Sequence, residues 1–463
     1  MSESVNLYNS IDEVLEISKK VINHRVSEFN INHRPLSKNN KGVIGKIVEE
    51  GVFHYPINSN PEADFSNLGL ELKVTGLKRK ANDTLVMKER LVLNIINYIE
   101  EAKVDFFNSS FWKKNQYILM MFYLYDYALQ EQDYLFLESF LHKFSLKDLQ
   151  IIKNDWETIH NKILNGEAHN ISEADTLYLG ACTKGADRES NYRKQPFSMK
   201  LAKQRAYCLK TSYMNSIVNS LFTKEKVEPI FDYEQLSKNT FEIAMNTRLS
   251  KYFGKSENEL FEKFIIKQTS KAKFNLLLAA MLGLKGTINK SEEFQKGNIE
   301  LKTIRVEEDG HIEQHMSFPY FKYTEIIKET WETSEINKKF STTKFMFVVF
   351  KKKNRIYYFD KIKFWNMSYL EIEEYIKPVF EKTVKCIKEG NIVSRVTPQK
   401  YYTNFPGSTF NRVCHVRPHD QKSVKNLVNG MELPVPDKVT GLKKYTKYCF
   451  WLDKNYIRKI INE

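Results

Sequence analysis

The feature that most constrains this chain is an internal repeat. The segment GLELK, which ends at Lys73, recurs as NIELK, which ends at Lys302, about half of the 463 residues further on. KGVIGKIVEEGV (41–52) recurs as KAKFNLLLAAML (271–282), and QYILMMF recurs as KFMFVVF in the same order and at nearly the same spacing. Segments that keep their order and spacing in this way predict a tandem duplication of one domain.

The domain boundary is predicted in the charged segment FTKEKVEPIFDYEQLSKNT. We expect a first domain at 1–223, a linker at 224–238 and a second domain at 239–463. Each half begins with helical patterns, continues through strands around its Glu-x-Lys segment, and returns to helix. This order favours an α/β fold in which each domain is a mixed β-sheet flanked by helices.

The composition favours an anionic partner. Lys and Arg number 71 against 57 acidic residues, which gives a net charge of +14, and nucleic acid is the commonest partner of such proteins. The five cysteines contain no C-x-x-C pair, which argues against a disulfide framework and fits a reducing compartment. The sequence has neither a signal sequence nor a run of 18 apolar residues, so we expect a cytoplasmic protein without a membrane partner.

One short motif invites a zinc interpretation. CHVRPH, which spans 414–419, contains one cysteine and two histidines. No second half-site with ligand spacing accompanies it in the sequence, so the motif by itself does not predict a zinc site.

The stretch PEADFSNLGLELKVTG carries the candidate chemistry. Read with a period of two, its LxLxV residues face one side of a strand, and Glu71 and Lys73 face the other. Turn-forming residues precede the strand, so we predict that Asp64 reaches the same place from a neighbouring turn or strand. Carboxylate oxygens are the ligands that Mg²⁺ prefers. Such an ion with an adjacent ammonium group could promote phosphodiester hydrolysis, but the short motif by itself fits a surface strand with a cross-strand ion pair better.

A fourth candidate lies in the predicted helix at 41–52. Glu50 is one turn from Lys46, and we expect these two to form an ordinary surface pair. Glu49 lies instead on a less polar face beside Val52, where a carboxylate needs a partner. Glu49 is therefore the predicted fourth member of the site.

Three segments together, KGVIGKIVEEGV, PEADFSNLGLELK and YCLKTSY, resemble the MutH mismatch-repair endonuclease family. That family also contains the larger GATC-cutting type II restriction endonucleases of the Sau type, which are duplicated. The resemblance implies two tandem restriction-endonuclease-like domains. It also implies Asp64 and Glu71 as Mg²⁺ ligands, Lys73 beside the attacking water, and Glu49 as the helix carboxylate.

The second copy departs from this pattern. Ala279 stands at the position of Glu49, and Glu293 stands at that of Asp64, whereas the Glu-x-Lys pair is kept. Losing one carboxylate and lengthening another should impair the placement of an ion. We therefore predict one cutting domain and one degenerate domain that binds DNA without cutting it.

The residues that contact DNA are harder to assign. The family's recognition loop corresponds to 178–188, and an arginine and a tyrosine that the repair enzyme places near the adenine correspond to Cys182 and Cys208. We therefore expect cleavage whether or not the adenine is methylated. The candidates for DNA contacts are Lys113, Lys114, Lys184, Arg188, Arg417 and Trp451. For the two adjacent lysines, a solvated position is an open alternative.

The sequence thus predicts a Mg²⁺-dependent type II restriction endonuclease that cuts both strands of DNA at GATC and leaves 5′-phosphates. Its partner is double-stranded DNA, with two GATC sites bound at once by the two domains, and a dimer induced by DNA is compatible with this interpretation. The alternatives are a repair-type nicking endonuclease and a DNA-binding regulator without catalysis. The duplicated half argues against the first alternative, and the intact set of four residues argues against the second.

Overall fold

The computed structural model describes residues 8–36, 42–57, 62–185, 189–223, 225–398, 401–419 and 430–463. The chain forms two compact units. Unit 1 comprises Met1–Phe241 and Lys290–Asn298, and unit 2 comprises Glu242–Asn289 and Ile299–Glu463. A short segment of the second half of the chain therefore belongs to unit 1.

Both units combine helices with mostly short strands. The helices are α1 Ile11–Lys19, α2 Val43–Gly51, α3 Tyr98–Glu101, α4 Ser110–Asn115, α5 Leu146–Leu164, α6 Thr211–Phe222, α7 Tyr233–Lys238, α8 Phe241–Ser250, α9 Glu257–Lys263, α10 Lys273–Leu282, α11 Glu292–Gly297, α12 Tyr323–Ile326, α13 Glu335–Thr342, α14 Tyr369–Glu371, α15 Lys377–Lys388 and α16 Lys454–Asn462. The strands are β1 Leu70–Arg79, β2 Leu85–Met87, β3 Leu91–Ile95, β4 Tyr117–Leu124, β5 Phe136–Lys143, β6 Leu179–Thr183, β7 Tyr192–Gln195, β8 Ser198–Lys203, β9 Arg205–Leu209, β10 Ile299–Val306, β11 Met316–Tyr320, β12 Lys344–Lys353, β13 Ile356–Trp365, β14 Val393–Val396, β15 Tyr401–Thr403, β16 Cys414–Pro418, β17 Met431–Glu432, β18 Lys444–Tyr445 and β19 Tyr448–Leu452.

Unit 1 contains a mixed sheet with the strand order β2-β1-β4-β5. β1 runs parallel to β4 and antiparallel to β2, and β4 runs antiparallel to β5. The middle of β4, residues 118–122, is fully buried, as expected for an apolar strand covered on both faces. Leu70 and Leu72 of β1 pack in one core with Ile47 and Val48 of α2. This packing fixes the helix against the strand that carries the Glu-x-Lys motif.

A second sheet of unit 1 is antiparallel, with the order β3-β9-β6, and β7 and β8 form a separate hairpin. Helix α6 follows β9 and packs against α11, which comes from the second half of the chain. The α11 segment is thus built into unit 1 rather than unit 2.

Unit 2 repeats both sheets. β10 runs parallel to β12, which runs antiparallel to β13, so these strands correspond to β1, β4 and β5. The antiparallel sheet β11-β19-β16 corresponds to β3-β9-β6. The predicted fold class, mixed sheets flanked by helices in an α/β arrangement, is confirmed. Within the seven described ranges, no helix is long and apolar enough to cross a membrane.

Candidate active site

Asp64 reaches β1 from a tight turn. The chain reverses at Gly69, whose positive φ of 61° suits glycine, and Phe65 forms a bridge with Leu70. As a result, Asp64 Oδ2 accepts a hydrogen bond from the Leu72 N–H at 2.9 Å. The Asp64 N–H donates to Glu71 Oε2 at 3.3 Å. The turn therefore holds the two carboxylates side by side, which is the arrangement that the spacing predicted.

Two lysines flank Glu71. Lys73 Nζ lies 2.6 Å from Glu71 Oε1, and Lys114 Nζ lies 3.6 Å from Glu71 Oε2. The Glu71 side chain is only 2% exposed, and its burial raises the pKa of the carboxyl, against the opposing effect of Lys73. Lys114 also donates to the carbonyl of Glu62 at 2.9 Å, which ties α4 to the segment before the turn.

Glu49, on α2, is influenced by the charges of the other two carboxylates. Burial raises the pKa of Glu49 to about 7, and the negative charges of Asp64 and Glu71 add to this effect. The charges of both carboxylates therefore reach Glu49. Three carboxyl groups that repel each other are typical of a place built to receive a cation.

The expected pair between Glu50 and Lys46 is wrong. Glu50 instead accepts two hydrogen bonds from the guanidinium of Arg34, at 2.5 and 2.6 Å. These hydrogen bonds lower the pKa of Glu50 to about 2. The planar guanidinium matches the two oxygens of a carboxylate with two parallel donors in a fixed geometry. Glu50 is thus held by Arg34, whereas its neighbour Glu49 is influenced by the charges of Asp64 and Glu71.

The other candidates in unit 1 differ in position. Lys113 is exposed on α4 and forms no ion pair with any described residue, whereas Lys114 joins the carboxylates. Lys184 follows β6, is half-buried, and donates its backbone N–H to the Gln204 carbonyl at 2.9 Å. Arg188 lies outside the described residues.

Cys182 and Cys208 do not face solvent. Both thiols are buried, and they form a small apolar cluster with Ala206. From this position neither thiol offers a polar contact to a base, which is consistent with the expectation that these residues replace the arginine and the tyrosine without supplying their contacts. Tolerance of adenine methylation itself stays a prediction.

The Glu-x-Lys motif of unit 2 has different surroundings. Glu300 pairs with Lys302 at 2.8 Å and also with Lys339 of α13. Burial alone would raise the pKa of Glu300, but the two ammonium groups outweigh it and the net pKa is lowered. The same motif thus carries a raised pKa in unit 1 and a lowered pKa in unit 2.

In the second half of the chain, the positions that align with Glu49 and Asp64 do not supply carboxylates to the Glu300 motif. Ala279 is buried in α10 and offers no ligand. Glu293, its side chain fully buried, accepts hydrogen bonds from the N–H groups of Ile230 and Phe231 at 2.9 and 3.2 Å, all within unit 1. Glu293 is therefore a structural anchor for the α11 segment.

Arg417 and Trp451, the candidates for DNA contact in unit 2, lie on the neighbouring strands β16 and β19. The guanidinium of Arg417 sits 5.7 Å from the centre of the Trp451 ring. Arg417 is exposed and Trp451 is half-buried. The structure thus joins a cation and an aromatic ring at one accessible place.

Sequence reasoning missed two features. One is Lys339, which had no motif around it, and the other is the bidentate partner of Glu50. Both contacts join residues from separate elements, and neither pairing leaves a spacing signal in the sequence.

An aspartate from a turn and a Glu-x-Lys strand on a mixed sheet, with a glutamate on the adjacent helix, form the arrangement expected of a nuclease with a restriction-endonuclease-like fold. Comparison with known proteins agrees. The family described as the DNA mismatch repair enzyme MutH matches residues 53–155 and 282–377, one segment in each half of the chain. The type II restriction enzyme Sau3AI of Staphylococcus aureus is 32% identical over 485 residues, which covers 96% of this chain and 99% of that protein.

The chain therefore belongs to the MutH-like family of restriction and repair endonucleases. It is a DNA endonuclease, a hydrolase of phosphodiester bonds. Nucleases of this family bind DNA and generally use a divalent metal ion.

Proposed function

We propose that this protein is a Mg²⁺-dependent type II restriction endonuclease that hydrolyses both strands of DNA at GATC. Cleavage would take place in unit 1 and leave 5′-phosphates. The observation that carries this proposal is the convergence of Glu49, Asp64 and Glu71, with Lys73 and Lys114 placed against the most buried carboxylate. The relative that matches the chain over almost its whole length is a type II restriction enzyme.

The donor set fits Mg²⁺. Asp64 and Glu71 offer carboxylate oxygens, the ligand type that this ion prefers. Burial raises the pKa of Glu49 most, and repulsion from Asp64 and Glu71 adds to it; a bound cation would relieve that repulsion. When bound, the ion would stabilise negative charge on the oxygens of the scissile phosphate.

The protein's own groups then have separate tasks. Lys73, within hydrogen-bond distance of Glu71, would orient the attacking water and stabilise charge in the transition state. Lys114, on the other oxygen of Glu71, would contact a phosphate next to the cut. Glu49, with a pKa of about 7, can hold or release a proton near neutral pH.

Unit 2 would bind a second GATC as an effector and not cut it. Several observations support this role. Ala279 removes one carboxylate, Glu293 anchors α11, and Glu300 is already neutralised by two lysines. The exposed Arg417 beside Trp451 provides a cation and a ring for contact with nucleic acid.

Binding of two sites at once would also permit a dimer that forms on DNA.

The five cysteines are all free and buried, which suits the reducing cytoplasm in which we propose the protein acts.

The test is a digest of unmethylated plasmids of known sequence, with and without Mg²⁺, followed by sequencing of the ends. We expect double-strand breaks at every GATC in the presence of the ion, and none with Glu71→Gln. Nicks confined to one strand would support the repair-type alternative. Cleavage at another sequence, or no cleavage by protein that binds GATC, would overturn the proposal.

A further inference from the structure

A cluster of three side chains in unit 2 has the make-up of a transition-metal site. His315 precedes β11, His415 lies in β16, and Asp453 follows β19. One ligand atom from each residue lies within 4.8 Å of the other two. The two imidazole rings are 4.7 Å apart between their centres and nearly perpendicular, at 83°.

His415 lacks the partners that a buried imidazole needs. Its side chain is fully buried, and neither ring nitrogen has a hydrogen-bond partner among the described residues. Buried polar side chains are nearly always paired, and a neutral imidazole always offers one lone pair. That lone pair is available to the cluster.

The other two members, His315 and Asp453, lie close together. An ion at His315 Nδ1 would have to displace the Lys454 N–H, which donates to the single lone pair of that nitrogen at 3.1 Å. The same nitrogen lies 3.4 Å from Asp453 Oδ2. The other oxygen of Asp453 is occupied by the Asn455 N–H at 2.8 Å. Two ligands of a tetrahedral ion with bonds of ~2.0 Å stand about 3.3 Å apart, which is close to the spacing found between His315 and Asp453.

The corresponding positions of unit 1 hold different side chains. Matching the register of the two antiparallel sheets gives the counterparts of His315, His415 and Asp453 as Arg90, Gly180 and Lys210. Arg90 there pairs with Glu173 at 2.6 Å, and Lys210 is buried. Unit 1 therefore carries two cationic side chains where unit 2 has side chains that can bind a cation.

We propose that His315, His415 and Asp453 bind one divalent transition-metal ion of the zinc type. Two imidazole nitrogens and one carboxylate oxygen suit Zn²⁺, whereas Mg²⁺ prefers a set of oxygens. A water molecule would complete the tetrahedron. Both imidazoles lie within reach of the negative charge of Asp453 and of the positive charge of Arg417, which lies two residues beyond His415 on β16.

The ion would brace the surface that carries Arg417 and Trp451. His415 faces Trp451 across the β16–β19 pairing, and Asp453 begins α16 directly after β19. A metal bound to both strands would fix their relative position. The site is therefore separate from the carboxylates of unit 1 in both place and ligand chemistry.

The experiment uses the full chain without a histidine tag. Zinc is measured by mass spectrometry after dialysis, and Co²⁺ is titrated into the metal-free protein while the visible absorption of tetrahedral Co²⁺ is followed. We expect one ion per chain. Either His415→Ala or Asp453→Asn should reduce zinc retention at least tenfold and abolish the Co²⁺ band. The second change keeps a residue that can cap α16, so it guards against loss of folding.

Two controls make the result specific. His311→Gln removes an exposed histidine that pairs with Asp309 outside the cluster, and it should leave the metal content unchanged. Glu71→Gln should also leave it unchanged, which separates this site from the proposed cleavage reaction. Protein that retains no zinc and gives no tetrahedral Co²⁺ band would overturn the proposal. So would a band that persists in both cluster variants.

Discussion

The neighbouring carboxylates of unit 1 predict that one substitution raises the stability of the protein and lowers its activity. Replacing Glu49 with glutamine should make the metal-free protein more stable at pH 8 while it impairs cleavage. The pKa of Glu49 rises from its ordinary value of 4.5 to about 7 because burial and the charges of Asp64 and Glu71 disfavour its ionised form. The folded protein must therefore ionise a group that resists ionisation.

The sign and size follow from proton linkage. Below pH 4.5 the carboxyl is protonated in both the folded and the unfolded chain, so it contributes no penalty. As the pH rises towards 7, the unfolded chain loses the proton first, and the folded state is progressively destabilised. A shift of this size corresponds to about 3 kcal/mol in the free energy of unfolding. Because solvent screens a side chain that is partly exposed, we expect about 1–3 kcal/mol at pH 8.

The assay is thermal unfolding of wild type and Glu49→Gln in EDTA at pH 5 and pH 8. The variant should melt several degrees higher at pH 8, with a smaller difference at pH 5. Mg²⁺ should narrow the gap at pH 8 by stabilising the wild type alone. The matched control is Glu50→Gln, which removes a carboxylate bound to Arg34 and should lower the melting temperature. Equal melting of wild type and Glu49→Gln at pH 8 would show that Glu49 does not share the carboxylate site.

Three further results are expected. Lys73→Ala should reduce the cleavage rate about a hundredfold or more while the variant still binds GATC duplexes. The control Lys113→Ala changes an exposed lysine and should cut normally. Rapid cutting by Lys73→Ala would show that Lys73 has no part in catalysis. Glu293→Ala should destabilise the protein in urea by about 1–3 kcal/mol, because two buried backbone N–H groups lose their acceptor; an unchanged midpoint would show that this carboxylate does not anchor α11. Plasmids with two GATC sites should be cut faster than plasmids with one, by roughly five- to 150-fold, and Arg417→Ala should remove the difference; equal rates for both plasmids would refute the effector role of unit 2.

Local patterns determined much of the catalytic unit. The period-two alternation after Gly69 and the helical pattern around Glu49 were enough to place the Glu-x-Lys strand and the helix carboxylate. The repeat predicted a second copy of the same sheets, which the strand order β10-β12-β13 shows. These features depend on residues close together in the chain, or on one segment resembling another. Both kinds of information are written directly in a sequence.

Tertiary structure decided the partners. Glu50 binds Arg34 and not its helical neighbour Lys46, because a bidentate guanidinium arriving from another segment matches a carboxylate better than an ammonium one turn away. Glu293 aligns with Asp64 in the repeat, yet it anchors the α11 segment in unit 1.

The thiols of Cys182 and Cys208 are buried in one small cluster, a contact that no local pattern in the sequence indicates. His415, from a motif that lacked a second half-site, meets ligands contributed by segments far away in the chain. Such contacts depend on how separate elements pack. A single sequence records which residues are available for them, but not which residues they will meet.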